Sequence, residues 1–166
     1  MGRFSRAELE SEFARFEKMV EQVAETHDWN PWAEQFTDDA DYVEHAMGTF
    51  KGREEIRTWV IKTMGRFPGS HMVAFPALWH VIDEETDRVI CEIDNPLRDP
   101  GDGSLFTATN ITILTYAGDG LWSKEEDVYN PMEFAQAAKA WCHRAQELGN
   151  LTDEAGRWLD TVGKYF

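Results

Sequence analysis

Leu9, Phe13, Phe16, Val20 and Val23 recur at three- and four-residue spacing, so the N-terminal segment predicts a helix with one apolar stripe. Ser5 and Glu8 sit three residues apart at its start, where a hydroxyl and a carboxylate can satisfy each other's free backbone N–H groups. In HDWNPWAEQF, Asn30 as a cap and Pro31 in the first turn predict a second, short helical segment. ADYVEHA then alternates and predicts a short strand that ends at Gly48. After Gly52 the spacing is helical again through Ile56, Trp59, Val60, Thr63, Met64 and Phe67, until Pro68 and Gly69 stop it.

Beyond residue 70 the texture changes. HMVAFPALWHVI, RVICEIDNPL, LFTATNITILTYA and LWSKEEDVY are rich in β-branched and aromatic residues, and the turn-forming clusters DEETD, RDPGDGS and AGDG separate them. They predict four long strands joined by hairpins, the first at an edge or bulged because Pro76 has no N–H to give a ladder. Asn130, Pro131 and Glu133 then open a helix that carries Phe134, Ala137, Ala138, Trp141, Ala145 and Leu148. In the tail, Trp158, Leu159 and Val162 mark a weaker helical face that packs on the domain or on a second subunit. Helices followed by a run of strands define an α+β class. The expected architecture is a curved antiparallel sheet wrapped by the N-terminal helices into a cone with an internal pocket, plus C-terminal helices. One domain spans 1–166, with a core over about 8–140 and a helical extension over 141–166.

Seven Trp and ten Phe in 166 residues can fill one sizeable core. The net charge of −15 argues against nucleic acid or an anionic membrane as a partner, because binding phosphates needs the opposite sign. A charged N-terminal segment and the lack of any long apolar run predict a cytoplasmic protein. Cys91 and Cys142 have no CxxC spacing and read as reduced, small hydrophobes. No HxH, HExxH or clustered Cys/His pattern predicts a metal, and no glycine-rich phosphate loop predicts a nucleotide, so no cofactor is expected.

Two stretches carry a family likeness. WAEQFTDDADYVEHAMGTFKGREEI and GDGLWSKEEDVYNP resemble the SnoaL-like branch of the nuclear-transport-factor-2-like superfamily. Its members include polyketide cyclases, ketosteroid isomerases, limonene epoxide hydrolases and scytalone dehydratase. The likeness covers roughly residues 8–140 and implies the cone fold; it does not by itself imply one reaction.

Candidate chemistry comes partly from the residues and partly from that likeness. Alternation puts Tyr42 and Glu44 on one face of their strand, and the likeness puts Glu44 near where ketosteroid isomerases carry a general base. Glu92 and Asp94 share a strand face with Ile90, and acids among apolar neighbours are costly unless paired. Similarity to limonene epoxide hydrolases implies Asp94 and Asp127 as an acid and a base, with Glu92 standing where that family has an Arg. Three nearby carboxylates would repel, so at least one would titrate high or bind a cation. His71, at the start of the first long strand, stands where scytalone dehydratase carries an acid–base His. Tyr129 shares a face with Asp127, so either it or Tyr42 could hold a substrate oxygen, while Asn110 and Thr112 stand where the isomerases have an acid. Trp59, Phe75 and Trp79 read as core aromatics that would also line any cavity.

Two functions fit these readings. One is a cofactor-independent acid–base enzyme of isomerase, dehydratase, cyclase or epoxide-hydrolase type, acting on a hydrophobic small molecule. The alternative is a non-catalytic module of the same fold that binds a small ligand or supports dimerisation. A homodimer is expected in either case, because Ile111 and Ile113 face opposite to Thr112 and Leu114 and one helical layer cannot cover both sides.

Overall fold

The computed structural model describes residues 2–166. Helix α1 (Arg6–Thr26) begins at Ser5, whose hydroxyl accepts from the Glu8 N–H, and its buried stripe is Leu9, Phe13, Phe16, Val20, Val23 and Ala24. That stripe lies on the concave side of a sheet, with Phe13 against His80 and Phe16 edge-on to Trp122. Helix α2 (Asn30–Ala33) is one turn long and starts one residue earlier than the cap predicted from Asn30. Asp28 takes over the local capping by accepting from the Asn30 backbone and side-chain N–H groups.

Six strands form one sheet: β1 (Phe36–Glu44), β2 (Gly48–Lys51), β3 (Ala77–Asp83), β4 (Arg88–Asp94), β5 (Thr109–Gly118) and β6 (Leu121–Val128), in the order β2-β1-β6-β5-β4-β3. Strand β1 begins earlier than the alternating ADYVEHA stretch and turns back as a hairpin into the unanticipated β2. The other correction concerns direction: β1 and β6 pair in parallel, so the sheet is mixed, because the chain returns to β1 only after a long excursion. Period-two alternation reads faces but not strand direction. Pro76 precedes β3, which is an edge strand with a shifted register at Ala77–Trp79, as the missing N–H implied.

Helix α3 (Arg53–Met64) buries Ile56 and Val60 against β1 and β2 and ends at Gly65, before Pro68. Residues that follow form a 3-10 turn (Gly69–His71) rather than the start of a strand. Helix α4 (Pro131–Glu147) has Asn130 as its cap, accepting from the Met132 N–H. Helix α5 (Asp153–Thr161) packs on the same chain, where Trp158 and Leu159 join Phe67, Trp141 and Ala145 in a second apolar cluster. Among the described residues no helix is long and apolar enough to cross a membrane.

Leu114, fully buried where α1 meets the sheet, carries part of the main core. Leu114→Ala is expected to cost about 3 kcal/mol in urea unfolding, whereas Leu78→Ala on the exposed edge strand should change stability by less than about 0.5 kcal/mol.

Candidate active site

Parallel pairing of β1 with β6 sets Tyr42 beside Glu125 and Glu44 beside Asp127. All four side chains point to the concave face and line a cavity of about 520 Å³, within the range of small-molecule sites. The helices supply most of its apolar wall, through Phe13 and Phe16 of α1, Trp32 of α2 and Trp59 of α3. Phe134 of α4 and Trp158, Val162 and Phe166 of the C-terminal segment complete its lining.

Asp127 is the best-supported polar group in the cavity. Its carboxylate accepts from the Thr112 hydroxyl at 2.5 Å, from the Asn110 amide at 3.1 Å and from the Tyr42 hydroxyl. Asn110 also donates to Thr112 at 2.8 Å and accepts from the Asn95 amide at 2.8 Å, so the donors are themselves fixed. A carboxylate has about four lone-pair sites, and these three bonds leave one for a ligand. Burial pushes the Asp127 carboxyl above its ordinary range, against the downward pull of its three donors.

Glu125, two residues back on the same face, has no such support. One of its oxygens is buried without a partner, and burial followed by the neighbouring Asp127 charge pushes its carboxyl well above the usual range. The two acids titrate as a pair. With three donors on Asp127 and an unpartnered oxygen on Glu125, the first proton the pair holds belongs on Glu125. Glu44 completes the group: it is 3% exposed and both of its oxygens lack a hydrogen-bond partner. Its neighbour Tyr129 has a phenol pushed upward by burial, by its interaction as a hydrogen-bond donor toward Glu44 and by the Glu44 charge, and the Tyr42 phenol is raised by burial and by Asp127. Both phenols are therefore proton donors rather than bases.

Seven of the side chains predicted from sequence line this cavity: Tyr42, Glu44, Trp59, Phe75, Asn110, Asp127 and Tyr129. Four lie elsewhere. Cys91 is fully buried on the concave face, so alternation turns Glu92 and Asp94 to the convex one, where Glu92 accepts from the exposed Trp79 indole at 2.6 Å and Asp94 from Thr107. His71 is buried between Phe67 and Trp141, bonded to Ser70 and Thr152 hydroxyls. Burial and the nearby Arg98 charge lower it to about 4, so it anchors the second apolar cluster as a neutral ring. The carboxylates that crowd one another are thus Glu44, Glu125 and Asp127, not Glu92, Asp94 and Asp127.

Sequence reasoning missed Glu125 and Asn95. Glu125 was within reach of the alternation argument, since it shares parity with Asp127 and Tyr129. That parity is broken only further back, where a register shift lets Trp122, at even spacing, face the same side. Asn95 follows the end of β4, where alternation gives no signal.

The SnoaL-like domain profile matches residues 6–123, more than half of the chain, and the chain belongs to this family. No curated protein matches it by sequence. Three solved structures share its fold. A Bacillus subtilis protein provisionally classed as an isomerase is 15% identical, covers 78% of this chain and 94% of its own, and superposes with a TM-score of 0.63. An M. tuberculosis LEH-like epoxide hydrolase is 13% identical over 86% of this chain and 95% of its own, at a TM-score of 0.61. A Catenulispora acidiphila protein with a ketosteroid isomerase-like fold, in complex with trimethylamine, is 22% identical over 69% of this chain and 85% of its own, at 0.55. At these identities the likeness establishes the fold, and the chemistry has to be argued from the cavity.

Because the Glu125 carboxyl is raised on folding above its ordinary value of 4.5, the folded state binds more protons there than the unfolded one. Stability therefore falls as pH rises from about 4.5 toward the raised value. Glu125→Gln is expected to unfold at a higher Tm than the wild-type protein at pH 8, with the difference vanishing near pH 4. Thermal unfolding of both proteins across that range checks it.

Proposed function

We propose that the protein is an acid–base enzyme that moves a proton at a carbon next to a carbonyl of a hydrophobic small molecule, using its own side chains. The observation that carries this reading is the division of labour between two adjacent acids. Asp127 is held by three donors with a lone-pair site left for a substrate proton, while Glu125 has an unpartnered oxygen and a carboxyl raised by burial and by Asp127, so we assign it the shared proton. Asp127 acts as general base. Removing the proton leaves negative charge on the carbonyl oxygen, and protonated Glu125 donates a hydrogen bond to that oxygen in a water-poor site, where such a bond is worth most. Tyr129, a neutral phenol, is the second donor within the same wall.

An epoxide-opening mechanism fits less well, because Asp94 lies on the other side of the sheet from Asp127. The trimethylamine complex of the Catenulispora relative supports a small-molecule role for this fold in general. The reading is tested by NMR, following hydrogen–deuterium exchange next to the carbonyl of an apolar ketone such as 2-tetralone. Wild-type protein should accelerate exchange, and Asp127→Asn should slow it by roughly 10² to 10⁴-fold with ligand affinity little changed. Binding of the ketone without any acceleration would favour the ligand-binding alternative.

We also propose a homodimer formed through the convex sheet face. Val81, Ile90 and Ile113 lie side by side across β3, β4 and β5, and Val81 and Trp79 are 49% and 45% exposed. Light scattering should give twice the 19.1 kDa chain mass, and a monomer at micromolar concentration contradicts the dimer.

A further inference from the structure

Two carboxylates of the cavity wall, Glu17 and Glu44, have no part in the reaction above, and Glu44, beside the β6 pair, is the more deeply buried. The two Glu44 oxygens are buried with no donor besides the neighbouring Tyr129 phenol, and a carboxylate taken out of water with too few donors is disfavoured. The Tyr129 phenol beside it can offer at most one hydrogen to about four lone-pair sites. The cationic side chains on the cavity wall, Lys62 and Arg66, come from exposed positions on and just after α3 and make no ion pair with Glu44. Lone-pair sites on Glu44 are therefore open to a donor on a ligand.

What that partner must be follows from the rest of the wall. An anionic ligand would meet the carboxylates of Glu44 and Asp127 together, and like charges in a low-dielectric site repel strongly. A neutral apolar ligand would fill the hollow but bring Glu44 no further donor. A protonated amine supplies N–H donors and a compensating charge at once, and the aromatic side chains around it, including Trp59 4.5 Å from Tyr42, offer π-surface that also attracts a cation.

We propose that the cavity selects a hydrophobic amine, with its ammonium group on Glu44 and its apolar body among the aromatic side chains. This rests on the acid–base reading of the same cavity and names its substrate class. Glu44 and Asp127 are register partners on adjacent strands, so the ammonium group lies next to the base. A substrate with its amine near the reacting carbon would then have its developing negative charge offset by its own cation.

The test is calorimetric titration at pH 7.5 with three probes of matched shape: 4-phenylbutylamine, 4-phenylbutanol and 4-phenylbutyrate. The amine is expected to bind at least tenfold more tightly than the alcohol, with the carboxylate weakest. Glu44→Gln should erase the preference for the amine while keeping the affinity for the alcohol. Equal binding of amine and alcohol by the wild-type protein overturns the proposal, as does a Glu44→Gln protein that still prefers the amine. If that variant does not fold, the wild-type ratio decides. Equal binding combined with ketone exchange that depends on Asp127 sinks the amine inference and leaves the acid–base reading standing. Failure of all three probes to bind sinks the amine inference, and absence of ketone exchange in the same preparation sinks the acid–base reading with it.

Discussion

The arrangement depends on one interaction: a buried aspartate held by neutral donors instead of a cation. Asp127 receives hydrogen bonds from Tyr42, Asn110 and Thr112, which come from two strands flanking its own. Among the described residues no arginine or lysine pairs with it, and its carboxyl group faces an apolar cavity. An ion pair there would have quenched the carboxylate charge and fixed the group as structure. Neutral donors lower the cost of burial only in part, and the remainder is passed to the neighbours. Burial, and after it the Asp127 charge, pushes the Glu125 carboxyl well above its ordinary range, and burial together with the neighbouring acids raises the Tyr42 and Tyr129 phenols.

The backbone makes this possible through the parallel β1–β6 contact. It brings the end of a hairpin, carrying Tyr42 and Glu44, alongside the last strand of the meander, carrying Glu125 and Asp127. The register shifts in β1, β5 and β6 bend the sheet and re-aim side chains, so a bulky Trp122 fills the core beneath α1 while the acids two turns of the pleat away face open space. The C-terminal helices complete the lining. Their own anchor is the neutral His71, packed on Trp141 and bonded to the Thr152 cap of α5, so a histidine that resembled a catalytic group instead holds the C-terminal helices in place.

Much of this was legible in the sequence where periodicity decides the answer. The stripe of α1, the caps at Ser5 and Asn130, the edge placement of β3 and the shared face of Tyr42 and Glu44 follow from spacing and from the chemistry of Pro76. What failed was information that spacing does not hold. Glu92 and Asp94 were assigned to the right strand, but only the packing of Cys91 under α1 shows which of its faces is concave. The parallel pairing joins segments some eighty residues apart, and nothing local in FTDDADYVE announces it. Likewise, His71 reads as a strand-start residue until the helices that bury it are in place. The family likeness gave the cone, and the likeness of single residues to catalytic positions was the weaker guide.

The central claim is that one acid of the β6 pair is ionised and the other protonated at neutral pH because both sit in a dry hollow. Carbon-13 NMR titration of the side-chain carboxyl groups tests it most directly. Glu125 should remain protonated at pH 7 in the wild-type protein, with Asp127 ionised, and should titrate closer to its ordinary range when Asp127 is replaced by Asn. If both carboxyls lose their protons independently near pH 4, the cavity is wet, the two acids do not interact, and the account is wrong.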